Sequence, residues 1–283
     1  MLNGCAYILT VDVGNTFIRF GLFAEDSAAA QECPLATCEI TTPSSITADE
    51  ARMRLAQVMG ALAADAGMPG ALVPAAAVLS CVVPALERPW KVALSRTCTG
   101  RVLTVGPGLK TGMPVHYDDP AEIGPDRIAD AVAARAVYGS PCIVIDLGTT
   151  TNIEVIDTHG TFVGGVIAPG LALGARSLSA AAARLPQVEP SAPTHVIGRN
   201  TREAMRSGVV LGEVARIDGM LDMVLAEMRS TKAAGEGSVP IIITGDDAEA
   251  LAALVGHSLT VDDALTLRGL AELYRINQKP RRA

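Results

Sequence analysis

Two short loops in this sequence carry the residue types that bind phosphate groups and divalent metal ions. The first loop reads Asp-Val-Gly-Asn-Thr at residues 12–16, and the second loop reads Asp-Leu-Gly-Thr-Thr at residues 146–150. In each, a carboxylate can reach Mg²⁺ directly or through water, a glycine lets a phosphate approach the backbone, and a hydroxyl can donate a hydrogen bond. This set suits a nucleoside triphosphate. Neither loop is a P-loop, because no Gly-Lys-Ser/Thr follows.

A plain hairpin turn is the alternative interpretation of these loops. Aspartate, glycine, asparagine and threonine are common turn residues, and a single loop of this kind is more often only a turn. Here, however, the pattern occurs twice, each time at the end of an apolar strand and before a second strand. The duplication favours a phosphate site over an ordinary turn.

The elements around the two loops predict how they are positioned. Strands are predicted at 6–13, 17–23, 75–83, 101–105, 142–147, 151–157, 161–168 and 239–244. Helices are predicted at 48–66, 84–98, 124–138, 171–184, 201–228, 248–255 and 266–277. Strands give way to helices in each half, which predicts two α/β domains, residues 1–115 and 116–283, facing each other across a cleft lined by the two loops.

Composition excludes several functional classes. The chain has 283 residues, of which 49% are hydrophobic and 19% charged, so it has ample apolar material for buried cores. A net charge of −7 argues against a nucleic-acid partner, since phosphate neutralisation needs a basic face. No apolar run reaches the roughly 20 residues of a membrane span, and the start lacks a signal peptide pattern. We therefore expect a cytoplasmic protein without a membrane partner.

The order of motifs along the chain resembles type III pantothenate kinases, bacterial members of the actin-like ATPase superfamily. The segments that carry the resemblance are 12–16, 21–23, 107–112, 117–120, 124–127, 146–150, 164–170 and 198–201. The resemblance covers nearly the whole chain. It implies an α/β fold of two duplicated ribonuclease-H-like domains and ATP-dependent phosphorylation of the primary alcohol of pantothenate, the first step toward coenzyme A.

The same resemblance implies roles for individual residues. ATP phosphates would be bound by Asp12, Val13, Gly14, Asn15, Thr16, Phe17, Ile18 and Arg19, and by Thr149. Pantothenate would be bound by Tyr117, Gly124, Pro125, Asp126, Arg127 and Thr201, and Asp126 would be the catalytic base. Asp12 would hold Mg²⁺ with ATP, directly or through water, and Asp146 would hold a monovalent cation, K⁺ or NH₄⁺. Members of the family are homodimers, so a homodimer is implied.

Physical reasoning supports the role of Asp126 but leaves alternatives open. Asp126 is predicted in the first turn of a helix and next to Arg127, and both the helix N-terminus and the guanidinium favour an ionised carboxylate. First-turn acids are also common in ordinary helices. Likewise, Tyr117 could simply pack a loop, and Thr201 could cap or open the long helix.

Departures from the family pattern cluster on the nucleotide side. The family usually has Thr-Ala-Thr-Thr-Phe-Asp where this chain has Thr-Thr-Thr-Asn-Ile-Glu at 149–154, which introduces Asn152 and Glu154. Its late Thr-Gly-Gly is replaced by Thr-Gly-Asp-Asp, with Asp246 and Asp247, so a possible positive φ is lost and charge is added. Two alternatives follow: a non-catalytic or altered-specificity paralogue that binds a small ligand and acts as a regulator or partner subunit, and a kinase for another hydroxy acid.

Overall fold

The chain forms two compact units. The computed structural model describes residues 6–25, 33–68 and 72–278. Unit 1 comprises residues 1–137 together with 264–283, and unit 2 comprises residues 138–263. This division differs from the predicted boundary between residues 115 and 116, because the last helix packs on the first sheet and its Gly269 lies against the backbone of Ala129 in the segment 116–137.

Unit 1 is a mixed sheet with helices. Its elements are β1 (Tyr7–Val13), β2 (Phe17–Ala24), β3 (Ala36–Thr41), α1 (Ala48–Asp65), β4 (Ala76–Cys81), α2 (Pro84–Thr97), β5 (Val102–Thr104), a 3-10 turn (Pro120–Glu122), α3 (Pro125–Tyr138) and α8 (Leu265–Ile276). The strand order is β3-β2-β1-β4-β5. Strand β1 is antiparallel to β2 and parallel to β4, so it lies in the middle of the sheet.

The two faces of β1 are used differently. Leu9, Val11 and Val13 are fully buried in the core that α1 and α2 form on one face. Because successive strand side chains alternate between faces, Asp12 projects from the other face. That face contacts α8, whose Leu267 packs with the end of β2. The alternation thus places the first loop's carboxylate outside the main apolar core.

Unit 2 repeats this arrangement. Its elements are β6 (Cys142–Leu147), β7 (Thr150–Ile156), β8 (Phe162–Pro169), α4 (Leu171–Ala181), α5 (Thr201–Arg206), a π turn (Ser207–Leu211), α6 (Gly212–Ser230), β9 (Ile241–Gly245), α7 (Ala248–Ala252) and β10 (Thr260–Val261). The strand order is β8-β7-β6-β9-β10, with β6 antiparallel to β7 and parallel to β9. The pairing pattern therefore matches that of unit 1, and the predicted duplication is confirmed.

Most predicted elements are confirmed within a few residues, including the hairpins that follow both loops. Two strands were not predicted: β3 is a half-exposed edge strand, and β10 has only two residues. The helix predicted at 201–228 is divided by the π turn, which contains Gly208 and two valines, all weak helix formers. In the part of the chain that the structure describes, every helix is too short or too polar to cross a bilayer.

Candidate active site

Asp12 lies near the C-terminal end of β1, in the middle of the unit 1 sheet. Its cross-strand neighbours are Arg19 on β2 and Ser80 on β4. Side chains at paired positions project from the same face. Asp12 is buried, and within the described residues its Oδ1 atom has no hydrogen-bond partner. A buried carboxylate oxygen without a donor is unfavourable unless a ligand supplies the missing interaction.

The surroundings of Asp12 disfavour its charge. Burial raises its pKa to about 6, the nearby Asp126 carboxylate adds to this shift, and the Ser80 hydroxyl and the Arg19 guanidinium oppose it only in part. Asp12 and Asp126 are far apart in the sequence but interact within unit 1. A desolvated pair of carboxylates with a perturbed pKa is typical of a site that binds cations or transfers protons.

Asp126 is the second residue of α3, and the chain before it makes room for its side chain. The backbone N–H of Arg127 donates a hydrogen bond of 2.8 Å to Asp126 Oδ1. A Cβ atom at Gly124 would overlap the same oxygen, so only glycine accommodates this side-chain position. The side chain of Arg127 is buried. The carboxylate is therefore held in one orientation at the start of the helix.

The protonation of Asp126 differs from the sequence prediction. Arg127 does lower the pKa of Asp126, through both its backbone N–H and its guanidinium. Desolvation by burial is the larger effect, however, and the net pKa of Asp126 is raised. The predicted effect of Arg127 is therefore confirmed, but the larger effect of burial could not be derived from the sequence. A raised pKa makes the carboxylate a better match for general base catalysis near neutral pH.

The remaining residues of the first loop fall into two groups. Val13 and Ile18 are fully buried in the core, so their side chains cannot contact a phosphate. The side chains of residues 15 and 16 are exposed at the tip of the hairpin. Thr42 fixes this tip, since its backbone N–H donates to the Thr16 carbonyl oxygen at 2.9 Å. The tip is thus both ordered and accessible.

Arg19 presents a positive charge beside Asp12. Its Nε atom forms an ion pair of 3.0 Å with Glu39 on β3, and its guanidinium lies 6.0 Å from the centre of the Phe17 ring. Both contacts keep the side chain near the hairpin, where the charge acts on Asp12. Arg19 therefore has the charge and the location that a phosphate ligand requires.

The loop after β5 contains Tyr117 and is anchored by two helices of unit 1. The Asn277 amide, just after α8, donates to the Lys110 carbonyl at 2.7 Å and accepts from the Lys110 N–H at 3.2 Å. Arg135 of α3 donates to the Gly112 carbonyl at 2.5 Å. Tyr117 itself is half-buried. The predicted acceptor-binding segment is therefore fixed to the helix that carries Asp126.

The second loop has the equivalent position in unit 2, with Asp146 near the end of β6. Its cross-strand neighbours are Asn152 on β7 and Thr244 on β9. The unusual Asn152 thus lies directly beside Asp146, and its Oδ1 accepts a hydrogen bond of 3.2 Å from the Thr150 hydroxyl. Glu154, two residues further along β7, is fully buried. Asn152 therefore supplies a polar contact to the second loop in place of the family's threonine.

Thr149 lies at the turn of the second loop and is held by the end of β8. The Gly170 N–H donates to the Thr149 carbonyl at 3.0 Å, and the Gly148 N–H donates to the Thr150 carbonyl at 3.0 Å. A Cβ atom at Gly170 would overlap the Gly148 carbonyl oxygen. The segment 164–170, which the sequence singled out, therefore packs directly against the second loop.

The late turn at 244–247 keeps the backbone geometry that the sequence comparison put in doubt. Gly245 has φ of +90°, and a Cβ atom there would overlap the Leu147 carbonyl oxygen. Asp247 has φ of +56°, a conformation that aspartate tolerates better than most residues. Asp246 is not among the described residues with positive φ. Position 246 therefore does not use the positive φ that the replacement of a glycine would remove.

The negative charge that the sequence adds at this turn lies beside a cavity. A cavity of about 410 Å³ adjoins this turn, and three carboxylate side chains line it: Asp247, Glu249 and Asp263. The late turn thus presents an acidic surface within unit 2.

Gly245→Ala tests the importance of the late turn. We expect the free energy of unfolding to fall by about 2–4 kcal/mol, because the new side chain is strained at this φ and overlaps the backbone of the second loop. Chemical denaturation measures the change. The matched control is Gly219→Ala in α6, where an added Cβ meets no atom and should raise stability by about 0.5–1 kcal/mol. Equal stability of Gly245→Ala and the unmodified chain would contradict the conclusion that this position requires glycine.

Comparison with known proteins assigns the chain to a family. A family model described as type III pantothenate kinase matches residues 8–223. The type III pantothenate kinase of Koribacter versatilis is 36% identical over 275 residues, which span 96% of this chain and 96% of that protein. The chain belongs to the type III pantothenate kinase family.

Solved structures confirm the predicted fold class. A protein described as a Baf family transcriptional activator from Campylobacter jejuni has a TM-score of 0.56 at 18% identity, over 95% of this chain and 98% of that one. A ROK hexokinase from Thermus thermophilus has a TM-score of 0.51 at 13% identity, over 96% and 100%. At such low identity these likenesses concern the fold alone. This family member has the α/β fold of actin-like ATPases, with two similar domains.

Thr201, predicted in this pantothenate kinase family to contact the acceptor, is the first residue of α5 in unit 2 and is exposed. The helix cap is Asn200, whose side chain accepts a hydrogen bond of 3.0 Å from the Glu203 N–H. Thr201 therefore opens the helix, as one alternative expected, but its hydroxyl is not the N-cap.

The donor set of unit 1 fits a Mg²⁺ ion that arrives with ATP. Residues 6–25, 33–68 and 72–278 contain no cluster of three or more His, Cys, Asp or Glu side chains that would hold a metal alone. Mg²⁺ in kinases is commonly held by one or two carboxylates, waters and the substrate's phosphates. The unpartnered Oδ1 of Asp12, beside Asp126, matches that requirement.

Sequence reasoning missed two residues that support the site in this family member. Ser80 lies in the otherwise apolar β4, and a single hydroxyl in a buried strand was the available signal. Asn277 lies at the end of the last helix, far from Lys110 in sequence, and nothing local to it indicates this long-range contact. Both became visible only through the packing of unit 1.

Proposed function

We propose that this chain transfers the γ-phosphoryl group of ATP to the primary hydroxyl of pantothenate, forming 4′-phosphopantothenate in coenzyme A biosynthesis. Membership of the type III pantothenate kinase family supports this activity. The observation that carries the proposal is the Asp126 carboxylate at the start of α3, oriented by the Arg127 N–H and close enough to Asp12 to raise its pKa.

Asp126 is the general base in this proposal. Its carboxylate accepts the hydroxyl proton while the hydroxyl oxygen attacks the γ-phosphorus. The bond from the γ-phosphorus to the β–γ bridging oxygen breaks, and ADP leaves. Phosphoryl transfer depends mainly on positioning and charge neutralisation, so one oriented base is the main chemical help required.

The nucleotide phosphates are bound by both loops. In the first loop, the backbone of residues 13–18 and the exposed side chains at 15 and 16 supply donors, and Arg19 supplies a positive charge. Thr149 contributes from the second loop. Bound Mg²⁺ supplies neutralisation of phosphate charge, and Asp12 holds it directly or through water.

Pantothenate is bound by the residues that the family resemblance implies. Arg127 pairs with the pantothenate carboxylate, because guanidinium groups bind carboxylates with two parallel hydrogen bonds. Tyr117, Gly124, Pro125 and Thr201 contact the rest of the molecule. The anchoring of the Tyr117 loop to α3 and α8 supports this assignment.

Three further features belong to the proposal. Asp146 binds a monovalent cation, K⁺ or NH₄⁺, and its half-buried carboxylate with Asn152 and Thr244 beside it supplies the oxygen ligands such an ion prefers. The functional unit is a homodimer, and the protein acts in the cytoplasm. The family resemblance supports the homodimer.

No observation favours the non-catalytic alternative. Asp12, Asp126 and Arg127 are retained in a consistent arrangement. The departures are accommodated, since Asn152 bonds within the second loop and Asp247 adopts the left-handed conformation itself.

ADP release tests the proposed activity. Purified protein is incubated with ATP, Mg²⁺ and K⁺ or NH₄⁺, with and without pantothenate, and the product is identified by mass. Phosphopantothenate that forms only when pantothenate is present would support the proposal. Folded protein without product at millimolar ATP would overturn it, and a panel of other hydroxy acids would test the acceptor.

The binding of Mg²⁺-ATP should weaken as the pH falls below about 6. Asp12 must be ionised to hold Mg²⁺, and its pKa is raised to about 6, so each lower pH unit should reduce affinity by up to about tenfold. Calorimetric titration between pH 5 and pH 8 measures this dependence.

Ser80→Ala separates Asp12 from the titration of ATP itself. The Ser80 hydroxyl lowers the pKa of Asp12, so its removal should move the acid limb to higher pH while the nucleotide's own titration is unchanged. Superimposable pH profiles for the two proteins would contradict the role of Asp12.

A further inference from the structure

A charged pair at the start of α6 lies against the second loop. Glu213 is buried, and its Oε1 accepts a hydrogen bond of 2.6 Å from the Thr151 hydroxyl. Its other oxygen forms an ion pair with Arg216, one helical turn further on. A buried carboxylate is unfavourable without such partners. The Glu213 carboxylate is thus bonded to Arg216 on the same helix and to Thr151 at the start of β7.

Arg216 extends the contact to the neighbouring strand. Its guanidinium also donates a hydrogen bond of 2.6 Å to the carbonyl of Pro169, the last residue of β8. Thr150 pairs with Pro169, and Thr151 with Ala168, in the sheet register. Glu213 and Arg216, on the same helix, are therefore hydrogen-bonded to the adjacent ends of β7 and β8.

These strand ends are directly connected to Thr149. Gly170, which follows Pro169, donates to the Thr149 carbonyl at 3.0 Å, and its lack of a side chain allows contact with the Gly148 carbonyl. Thr149 is also directly bonded in the chain to the start of β7. The position of the Thr149 backbone is thus constrained from both sides by groups that Glu213 and Arg216 hold.

We propose that Glu213 and Arg216 are positioning residues that hold the second loop in its nucleotide-binding geometry, an inference that rests on the proposed role of Thr149. Arg216 makes both contacts through Nη2 of its planar guanidinium, a weakly hydrated group that suits such a partly buried position better than a lysine ammonium. The pair contacts the strands beside Thr149 and acts on the nucleotide through that residue, whereas Asp126 and Arg127 bind pantothenate in the proposed function.

Arg216→Met tests this proposal. We expect the KM for ATP to rise by about tenfold or more, because small displacements of positioning groups have large effects, while the KM for pantothenate changes by less than about threefold. Arg216→Lys keeps the positive charge but has a more strongly hydrated ammonium on a different stem, and should recover part of the loss. A similar increase in both KM values would overturn the proposal.

Arg275→Met is the matched control. Arg275 forms the same kind of ion pair, three residues after a buried glutamate, Glu272. It lies on α8 in unit 1 and has no part in the second loop. Both KM values should stay within about twofold of the unmodified chain. A rise in the KM for ATP equal to that of Arg216→Met would overturn the proposal.

Hydrogen exchange separates this proposal from the proposed function. In Arg216→Met, the amides of residues 147–151 and of Gly170 should exchange faster, and Mg²⁺-ADP should bind more weakly. These results would support the positioning role even if the unmodified chain fails to phosphorylate pantothenate, an outcome that overturns only the proposed function. Unchanged exchange in this segment would overturn the positioning role. If Arg216→Met does not fold, Glu213→Gln and Arg216→Lys are tested with the same readouts.

Discussion

Asp126→Asn should reduce the turnover of pantothenate by about 10²- to 10⁴-fold, the usual contribution of a general base. Asparagine has the same shape and can still accept the hydrogen bond from the Arg127 N–H, but it cannot take the hydroxyl proton. The substitution leaves Gly124 in place, so the space beside this residue that the side chain at position 126 occupies is unchanged. Steady-state kinetics with saturating ATP measure the loss.

The fold should survive this change. Burial raises the pKa of Asp126, so its ionised form already destabilises the folded state at neutral pH, and a neutral amide removes that penalty. Circular dichroism should therefore match the unmodified chain, and the Tm at neutral pH should be no lower than that of the unmodified chain. Asp65→Asn, at the exposed end of α1, is the matched control and should retain full turnover. Undiminished turnover by Asp126→Asn would exclude it as the base.

Asp12→Asn should separate nucleotide binding from stability. We expect the affinity for Mg²⁺-ATP to fall by about tenfold or more, because the amide is a poor ligand for Mg²⁺. Pantothenate affinity should change little. Calorimetric titration of the two substrates measures this contrast, and equal weakening of both would mean that the first loop is only structural.

The stability of Asp12→Asn should rise, whereas its affinity for Mg²⁺-ATP should fall. The pKa of Asp12 is 3.8 as an ordinary aspartate and about 6 in the folded chain, so ionisation destabilises the folded state as the pH rises from about 4 to 6, and fully so above 6. Asp12→Asn should therefore raise the free energy of unfolding at pH 7, by on the order of 1–3 kcal/mol, and have little effect at pH 4. A loss of stability at pH 7 would contradict this account.

The sequence was most informative where a pattern repeats. The duplicated loops and their hairpins predicted that Asp12 and Asp146 occupy equivalent strand ends, which the matching strand orders confirm. The motif around Asp126 was also evident, because Gly124 and Arg127 accompany it in a short segment. Both features are local, so the chain order alone carries them.

Long-range packing was beyond the sequence. The raised pKa of Asp126 depends on its burial, and that of Asp12 depends on its burial and on the Asp126 carboxylate from a distant part of the chain. The contacts of Glu213 with Thr151 join positions more than sixty residues apart, and no periodicity relates them. The short β10 escaped prediction because two residues cannot display an alternating pattern.

The π turn between α5 and α6 sets a constraint on insertions and deletions. A helix advances about 100° per residue, so a π turn, which holds one extra residue, rotates everything after it by that angle. Glu213 and Arg216 lie in the first turns of α6, which begins directly after the π turn. A gain or loss of one residue in Ser207–Leu211 would turn the Glu213 and Arg216 side chains away from β7 and β8. The contact with these strands therefore depends on the length of this segment as well as on the two charged residues.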